Sequence, residues 1–196
     1  MNTYIEAGTL KTEDLRPLPP VVVEVLRDLD APPRLLAHLL LVHDVAARLL
    51  EALAATWPRL RVDASAVLLG AATLDIGKVR VPEELTGPGT THAVLGQQLL
   101  EEHEFPAEVA RYARTHETWA EDPDVRPEDL LVVLSDYLWR GKRDAALESA
   151  LTSWIADAMS AESWAVFLDF DDIATELAQD APRRLHWLAQ FTARVA

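Results

Sequence analysis

The sequence predicts an all-α protein that folds as a single helical domain. Apolar residues recur at the three-to-four-residue spacing of a helix along most of the chain, and no stretch alternates in the way that a half-buried strand does. Only 7 glycines and 12 prolines are spread over 196 residues, which leaves long uninterrupted segments. A chain of this length with 49% hydrophobic residues has the size of one ordinary domain with a substantial core.

The helices are predicted from their start and stop signals. Asp30 is expected to cap the first helix, with two prolines in its first turn, and Asp63 to cap the second. The second helix has almost no polar face, so it should lie in the middle of the domain, and Gly77 should end or bend it. Residues 86–91 give the strongest loop signal, and Gly141 is expected to stop a later helix. The predicted helices cover residues 34–55, 64–72, 92–103, 106–118 and 128–140, followed by two or three amphipathic segments that break at Ser160 and Ala181.

Composition excludes several classes of protein. The absence of cysteine excludes a disulfide framework and any Cys-ligated metal site, so a metal would need nitrogen and oxygen ligands. A net charge of −14 argues against a surface for duplex nucleic acid, but it leaves room for a small anionic substrate. No apolar run approaches the ~18 residues of a membrane span. Residues 1–6 lack the basic start and apolar run of a secretory signal, so we expect a cytoplasmic protein without membrane partners.

Three ionisable residues interrupt apolar helices: His38, Asp75 and Asp136. Burial of an unpaired charge is costly, so each residue needs a partner. Taken singly, His38 fits a hydrogen-bonded core histidine and Asp75 fits a helix-end acid. Asp136, flanked by leucine, valine and tryptophan, needs a cation or several donors. Three such residues on three separate helices favour one shared cation.

The remaining histidines carry weaker signals. His92 follows the Gly-Pro-Gly loop at a helix start, and His116 lies near a helix end; each fits either a functional or a surface position. His103 and His186 have charged neighbours and fit solvated positions.

This arrangement of residues resembles the HD-domain superfamily of metal-dependent phosphohydrolases. The residues that carry the resemblance are, in order, His38, Leu74-Asp75, His92, His116 and Asp136. The string Asp75-Ile76-Gly77-Lys78, after an alanine-rich helix, is the most specific part of the match, which covers about residues 34–143. The resemblance implies a helical bundle of the HD type. We therefore expect a single domain over residues 1–196, with an HD-like core at 31–143 and a C-terminal helical extension at 144–196.

The resemblance also implies two ligand sets and one departure from the pattern. One metal would be held by His38, the His-Asp pair and Asp136, and in two-metal members a second by Asp75 and the two middle histidines, here His92 and His116. Leu74 stands where the histidine of the pair is expected. We therefore expect a divalent metal (Mn, Fe, Co, Ni or Zn) that is weakly bound or absent at the altered site.

The literal dipeptide His43-Asp44 is not the motif pair. No Ile-Gly-Lys follows it, and His43 points about 140° away from His38 on one helix. Both residues are expected to be structural or exposed.

Three functions are compatible with these residues. The first is a phosphohydrolase that acts on a nucleotide or another small phosphoester with the surviving ligands. The second is an impaired HD-fold protein that serves as a ligand-binding or scaffold module. Leu74, in place of the expected histidine, favours this function. The third is a di-iron oxygenase of the same superfamily.

The substrate is expected to be a small phosphorylated molecule. Asp75 and Lys78 are the candidate catalytic residues, and Lys78 with Arg34 would balance phosphate charge. Trp119 or Trp139 could stack on a base, and Lys142 and Arg143 could bind phosphate. A cationic helix end is the alternative explanation for these last two residues. The loop at 86–91 could act as a lid, and the acidic C-terminal part could pack on the core or form a homodimer contact.

Overall fold

Ten α-helices make up most of residues 10–192, the part of the chain that the computed structural model describes. This confirms the all-α prediction. Residues 1–9 and 193–196 of the predicted domain lie outside the described residues. The helices are α1 (Pro20–Asp28), α2 (Pro33–Thr56), α3 (Ala64–Thr73), α4 (Thr91–Glu102), α5 (Ala107–Ala110), α6 (Tyr112–Thr118), α7 (Pro127–Leu138), α8 (Ala145–Met159), α9 (Ser163–Gln179) and α10 (Ala181–Leu188). Short 3-10 helices lie at Thr12–Asp14, Ile76–Val79 and Pro82–Leu85.

Several predicted helix ends are confirmed by the backbone. Asp63 caps α3, since its side chain accepts a hydrogen bond from the Ala66 N–H at 3.0 Å. Gly141 has a φ of 77° just after α7, and Ser160 has a φ of 51° at the end of α8. Both residues adopt the left-handed conformation that commonly ends a helix. The C-terminal segments form three helices, with the predicted breaks at Ser160 and Ala181.

Other predicted boundaries are wrong. Pro32, not Asp30, is the N-cap of α2, because Asp30 has a φ of 48° in the turn that follows α1. The segment predicted as one helix at 106–118 is two short helices that meet at Arg111. Gly77 does not end α3, which stops at Thr73; it lies inside a 3-10 helix instead.

Helix α1 was not predicted, although its sequence carries a signal. Pro19 and Pro20 stand at its start, where a missing N–H costs nothing, and Val22 and Leu26 are four residues apart. Both of these side chains are fully buried, against the beginning of α2.

The hydrophobic core divides into two clusters of side chains. The larger cluster joins α2, α3 and α7 to the C-terminal helices, and it includes Leu41, Leu131, Leu151 and Phe170. The smaller cluster joins α1, the start of α2, the segment after α3, α4 and the short helices α5 and α6. Within residues 10–192 no helix has both the length and the hydropathy that a bilayer crossing requires.

Candidate metal centre

The five predicted ligand residues come together although they lie on different elements. His38 belongs to α2, His92 to α4, His116 to α6 and Asp136 to α7, while Asp75 directly follows α3. All five side chains are buried, and Asp75 is only 3% exposed. The Asp75 carboxylate lies between two groups of side chains, one facing each of its oxygens.

Two imidazoles face the Oδ1 atom of Asp75. The Nε2 atoms of His92 and His116 lie 3.0 and 3.4 Å from Oδ1, and 3.2 Å from each other. Asp75, His92 and His116 thus present three ligand atoms to one point, and the set is one of two residue groups in the described chain that could hold a metal ion.

The spacing of these three atoms fits one face of a metal coordination sphere. At a metal–ligand distance of about 2.1 Å, neighbouring ligands stand about 3.0 Å apart in an octahedron and about 3.4 Å apart in a tetrahedron. The buried Asp75 Oδ1 has no well-formed hydrogen bond within residues 10–192, although two ring nitrogens are close. Two histidines with one carboxylate are a ligand set that suits divalent iron, manganese or zinc.

Glu84, in the 3-10 helix before the loop, fixes the orientation of His92. Its Oε2 lies 2.6 Å from His92 Nδ1 and also accepts the backbone N–H of His92 at 3.0 Å. Its Oε1 accepts the N–H of Thr91 at 3.1 Å, so the carboxylate occupies the N-terminus of α4. With Nδ1 donating to Glu84, a neutral His92 directs the lone pair of Nε2 at the point it shares with Asp75 Oδ1 and His116 Nε2, where a metal ion could lie.

The close approach of α4 to the 3-10 helix after Asp75 depends on glycine. A Cβ atom at Gly77 would lie 2.0 Å from the carbonyl oxygen of His92 and 2.5 Å from the backbone nitrogen of Gly96. Any larger residue would push α4 away. Gly77 therefore permits the short distance between Asp75 and His92.

His38 and the cationic side chains of Lys78 and Arg140 face the other half of the centre. Asp75 Oδ2 lies 2.7 Å from His38 Nε2 and 2.6 Å from Lys78 Nζ. Asp136 accepts a hydrogen bond from Trp139 Nε1 at 3.1 Å and one from Arg140 Nη2 at 2.8 Å. His38 Nε2 is 3.8 Å from Asp136 Oδ1, and His38, Asp75 and Asp136 form the second residue group that could hold a metal.

Opposing effects act on the pKa values of Asp75 and His116. Burial alone would raise the pKa of Asp75, but the imidazoles of His116, His38 and His92 and the Lys78 ammonium hold it well below its usual range. Burial disfavours the charged form of His116, yet its contact with Asp75 and the neighbouring acids raise its pKa. The metal-free centre therefore favours an ionised Asp75 and a proton on His116.

Two opposing effects also set the pKa of Glu84. Burial opposes its ionisation, but hydrogen bonds from the backbone and ring of His92 and from Thr91 lower its pKa to about 2. Glu84 therefore remains ionised at neutral pH and accepts the Nδ1 proton of His92.

A cavity of about 410 Å³ opens onto these residues, which is within the size range of small-molecule sites. Its walls include the predicted substrate residues Arg34 and Lys78. Arg34 also donates to the carbonyl oxygen of Leu188 at 3.2 Å, which ties it to the C-terminal helix. The loop at 86–91 contributes residues 86–89 to the rim, where a lid would lie.

Three of the predicted substrate residues lie elsewhere, as far as the described residues define the cavity. Trp119 packs against the larger hydrophobic cluster, because it follows the end of α6 on the core side. The Lys142 Nζ atom lies 3.4 Å from the centroid of the Tyr137 ring. Arg143 is held by Glu148 and by Asp171 at 2.6 and 2.7 Å. Each of these side chains is engaged in packing or ion pairs within the described residues, and its contact with a substrate stays a prediction.

The cavity is lined instead by Trp139, the other tryptophan named for stacking, and by Arg140. Both line the cavity, and the Trp139 ring lies edge-on to His38 with ring centroids 5.1 Å apart. The residue four positions after Asp136 on a helix returns to the same face, so Arg140 reaches the carboxylate and Lys142 does not.

Leu74 is fully buried in the larger hydrophobic cluster. Its side chain contributes to the core and is not among the described residues that line the cavity. His43 and Asp44 are buried as well, and Asp44 accepts hydrogen bonds from the Arg16 backbone at 3.1 Å and from Arg48 at 2.7 Å, as expected of a structural residue. Of the two histidines expected to be solvated, His186 is exposed and His103 is half-buried.

Sequence reasoning missed Glu84, Glu117 and the contact of Arg140 with Asp136. The Glu117 Oε1 lies 3.5 Å from His116 Nε2 and 3.7 Å from His92 Nε2, and the side chain is 35% exposed to the cavity. Its position directly after His116 was an available signal. Glu84 gave none, because eight residues and a loop separate it from His92.

Comparison with known proteins identifies a structural likeness. No family model matches the chain, and no curated protein sequence matches it significantly. A solved structure of the HD domain of the phosphodiesterase PgpH from L. monocytogenes is 16% identical with a TM-score of 0.49, over 82% of this chain and 97% of that one. A structure of that HD domain in complex with cyclic-di-AMP is 18% identical with a TM-score of 0.48, over 85% and 98% of the two chains.

Proposed function

We propose that this protein is a metal-dependent phosphohydrolase that acts on a small phosphoester such as a nucleotide. One observation carries the proposal: the Asp75 carboxylate contacts three imidazoles from three helices in a cavity that Lys78 and Arg140 also line. Such a site joins metal ligands with groups that attract phosphate.

The cationic residues would bind the phosphoryl group. Lys78 and Arg140 are anchored by Asp75 and Asp136, so their positive charges are fixed in the cavity before substrate enters. Arg34, which also lines the cavity, can add a further contact. Guanidinium groups pair with phosphate oxygens through two parallel hydrogen bonds, which favours phosphate over other anions.

A divalent ion held by Asp75, His92 and His116 would supply Lewis acidity and lower the pKa of a bound water. The Glu117 carboxylate, near both imidazole nitrogens and open to the cavity, is placed to accept a proton from the attacking water. Trp139 forms an apolar wall beside His38, where a base or another flat group can lie.

The test is hydrolysis of a broad panel of phosphoesters with Mn, Fe, Co, Ni and Zn supplied singly. Nucleotides, simple monoesters and cyclic-di-AMP, the molecule bound in one of the similar PgpH structures, belong in the panel. We expect metal-dependent hydrolysis of at least one substrate, abolished by Asp75→Asn and unaffected by Asp172→Asn on the exposed face of α9. Hydrolysis that survives Asp75→Asn would contradict the proposal.

A binding or scaffold module is the second candidate, because Leu74 removes one donor from the expected ligand set. In that case the cavity would bind a phosphorylated ligand without turnover. Binding of a panel member to the metal-free protein, with no hydrolysis under any metal, would favour this candidate over the enzyme.

A further inference from the structure

The two halves of the centre differ in the charges that already face them. We propose that the protein holds a single divalent ion, ligated by Asp75, His92 and His116, and that Lys78 and Arg140 supply the positive charge on the His38–Asp136 side. This inference deepens the proposed function, since it concerns the same centre.

The His38–Asp136 side is already neutralised. Asp75 Oδ2 is paired with Lys78 at 2.6 Å, and Asp136 Oδ2 with Arg140 at 2.8 Å. The other oxygen of Asp136 accepts the indole N–H of Trp139. A divalent ion here would have to displace these donors and would lie beside two fixed positive charges.

The same side is also short of ligands. Leu74 offers no donor atom, and its side chain is fully buried in the larger hydrophobic cluster. His38 Nε2 lies 3.8 Å from Asp136 Oδ1, wider than the about 3.0–3.4 Å expected between neighbouring ligands of one ion.

The side of the centre with His92 and His116 is better suited to a metal ion. Asp75 Oδ1 has no well-formed hydrogen bond among the described residues, and its spacing to the two ring nitrogens already matches a coordination sphere. Glu84 sets the tautomer of His92, and Glu117 adds a second carboxylate near the ring nitrogens. Among the described residues, neither Glu84 nor Glu117 forms an ion pair with a lysine or an arginine. A divalent ion would therefore lie near two carboxylates, Glu84 and Glu117, that no lysine or arginine of the described residues neutralises.

The proposal gives the two cationic residues a defined task. Lys78 and Arg140 would hold the phosphoryl oxygens that a second ion would hold in a two-metal site. A single ion also separates this protein from a di-iron oxygenase, which requires two.

The experiment measures metal stoichiometry on the full chain. The protein is stripped with a chelator, loaded with Mn²⁺, freed of excess metal, and assayed by elemental analysis and by electron paramagnetic resonance. We expect one Mn per chain and the six-line spectrum of an isolated ion. Two equivalents, a spectrum of coupled ions, or no bound Mn at millimolar supply would each overturn the proposal.

Matched histidine variants locate the ion. His92→Gln and His116→Gln should lower Mn²⁺ affinity by more than about tenfold, whereas His38→Gln and Asp136→Asn should keep one equivalent with affinity within about threefold of the parent protein. Circular dichroism checks that each variant is folded. Loss of Mn²⁺ in folded Asp136→Asn, with retention in folded His92→Gln, would assign the ion to the other side.

The outcome is independent of turnover. One bound ion without hydrolysis of any phosphoester supports the single-ion assignment and contradicts the proposed enzyme function. Hydrolysis by a protein with two bound ions supports the function and contradicts the assignment.

Discussion

The Glu84 carboxylate binds both the ring and the backbone of His92: its Oε2 atom lies 2.6 Å from Nδ1 and 3.0 Å from the backbone nitrogen of the same residue. One side chain thus caps α4 and fixes the imidazole that faces Asp75. A charged acceptor behind a histidine increases the basicity of the ring and holds it in place.

Replacement of Glu84 is therefore expected to weaken metal binding without removing a ligand. Glu84→Gln keeps the shape of the side chain but loses the negative charge, so Mn²⁺ affinity should fall by about 10–100-fold. The measurement is isothermal titration calorimetry. Glu83→Gln, at an exposed position of the same 3-10 helix, is the matched control and should leave the affinity unchanged. Equal affinities for the two variants would show that Glu84 does not orient the site.

Metal binding should also release a proton. Contacts with Asp75 raise the pKa of His116 above its ordinary value, so the metal-free ring holds a proton at pH values where a free histidine is largely neutral. Only the neutral ring can ligate, so Mn²⁺ affinity should decrease as pH falls, by up to about tenfold per pH unit below the raised pKa. Titrations from pH 8 to pH 6, in buffers of different ionisation enthalpy, measure both the affinity and the released proton. Affinity that is constant across this range, with no buffer effect, would contradict the assignment.

The contact of Gly77 with α4 predicts a large effect from a small substitution. Gly77→Ala would place a methyl group 2.0 Å from the carbonyl oxygen of His92, so α4 must move and the free energy of unfolding should fall by more than about 2 kcal/mol. Because the shift separates His92 from Asp75, metal affinity should fall as well. Urea unfolding of the metal-free protein measures the first effect and Mn²⁺ titration the second.

Gly87→Ala is the control for that substitution. Gly87 is exposed, and the nearest atom to its added Cβ is the Glu83 carbonyl oxygen at 3.0 Å. We expect a change in stability within about 1 kcal/mol and unaltered metal binding. A Gly77→Ala protein as stable as Gly87→Ala would mean that the two elements can separate at little cost.

Arg140 and Lys142 provide a direct comparison of two cationic residues at the end of α7. Arg140 lines the cavity, whereas Lys142 lies over the Tyr137 ring. If the enzyme proposal is correct, Arg140→Gln should raise KM for the phosphoester by about 10–100-fold, the equivalent of one lost charge-assisted hydrogen bond. Lys142→Gln should leave KM unchanged. Steady-state kinetics with the best substrate of the panel test this, and a larger effect at Lys142 would reverse the assignment.

Some residues of this site could be predicted from their neighbours in the sequence, and others could not. Asp75 and Asp136 stand out because a carboxylate within an apolar helix needs a partner, and that need is visible in a window of ten residues. His92 and His116 carry no such local signal, and only the resemblance to the HD pattern connects them. Once the five are combined, their convergence in one cavity follows from the predicted bundle.

The remaining features depend on three-dimensional packing. Glu84 reaches His92 across a loop, so no helical period connects them. Lys142 and Arg143 look like phosphate ligands by charge alone, but the helix ends before them and turns their side chains onto Tyr137 and Glu148. Helix α1 was overlooked because its short apolar stripe follows a run of prolines that resembles a loop.

The hydrogen bond from Arg34 to the Leu188 carbonyl has a practical consequence for anyone who shortens this protein. Leu188 itself forms part of the cavity wall, and α10 holds Arg34 against that wall. A fragment that stops near residue 143 would retain every proposed metal ligand, yet it would leave the pocket without one side and its arginine without an anchor. Helix α10 thus helps to shape the cavity in which the proposed chemistry would take place.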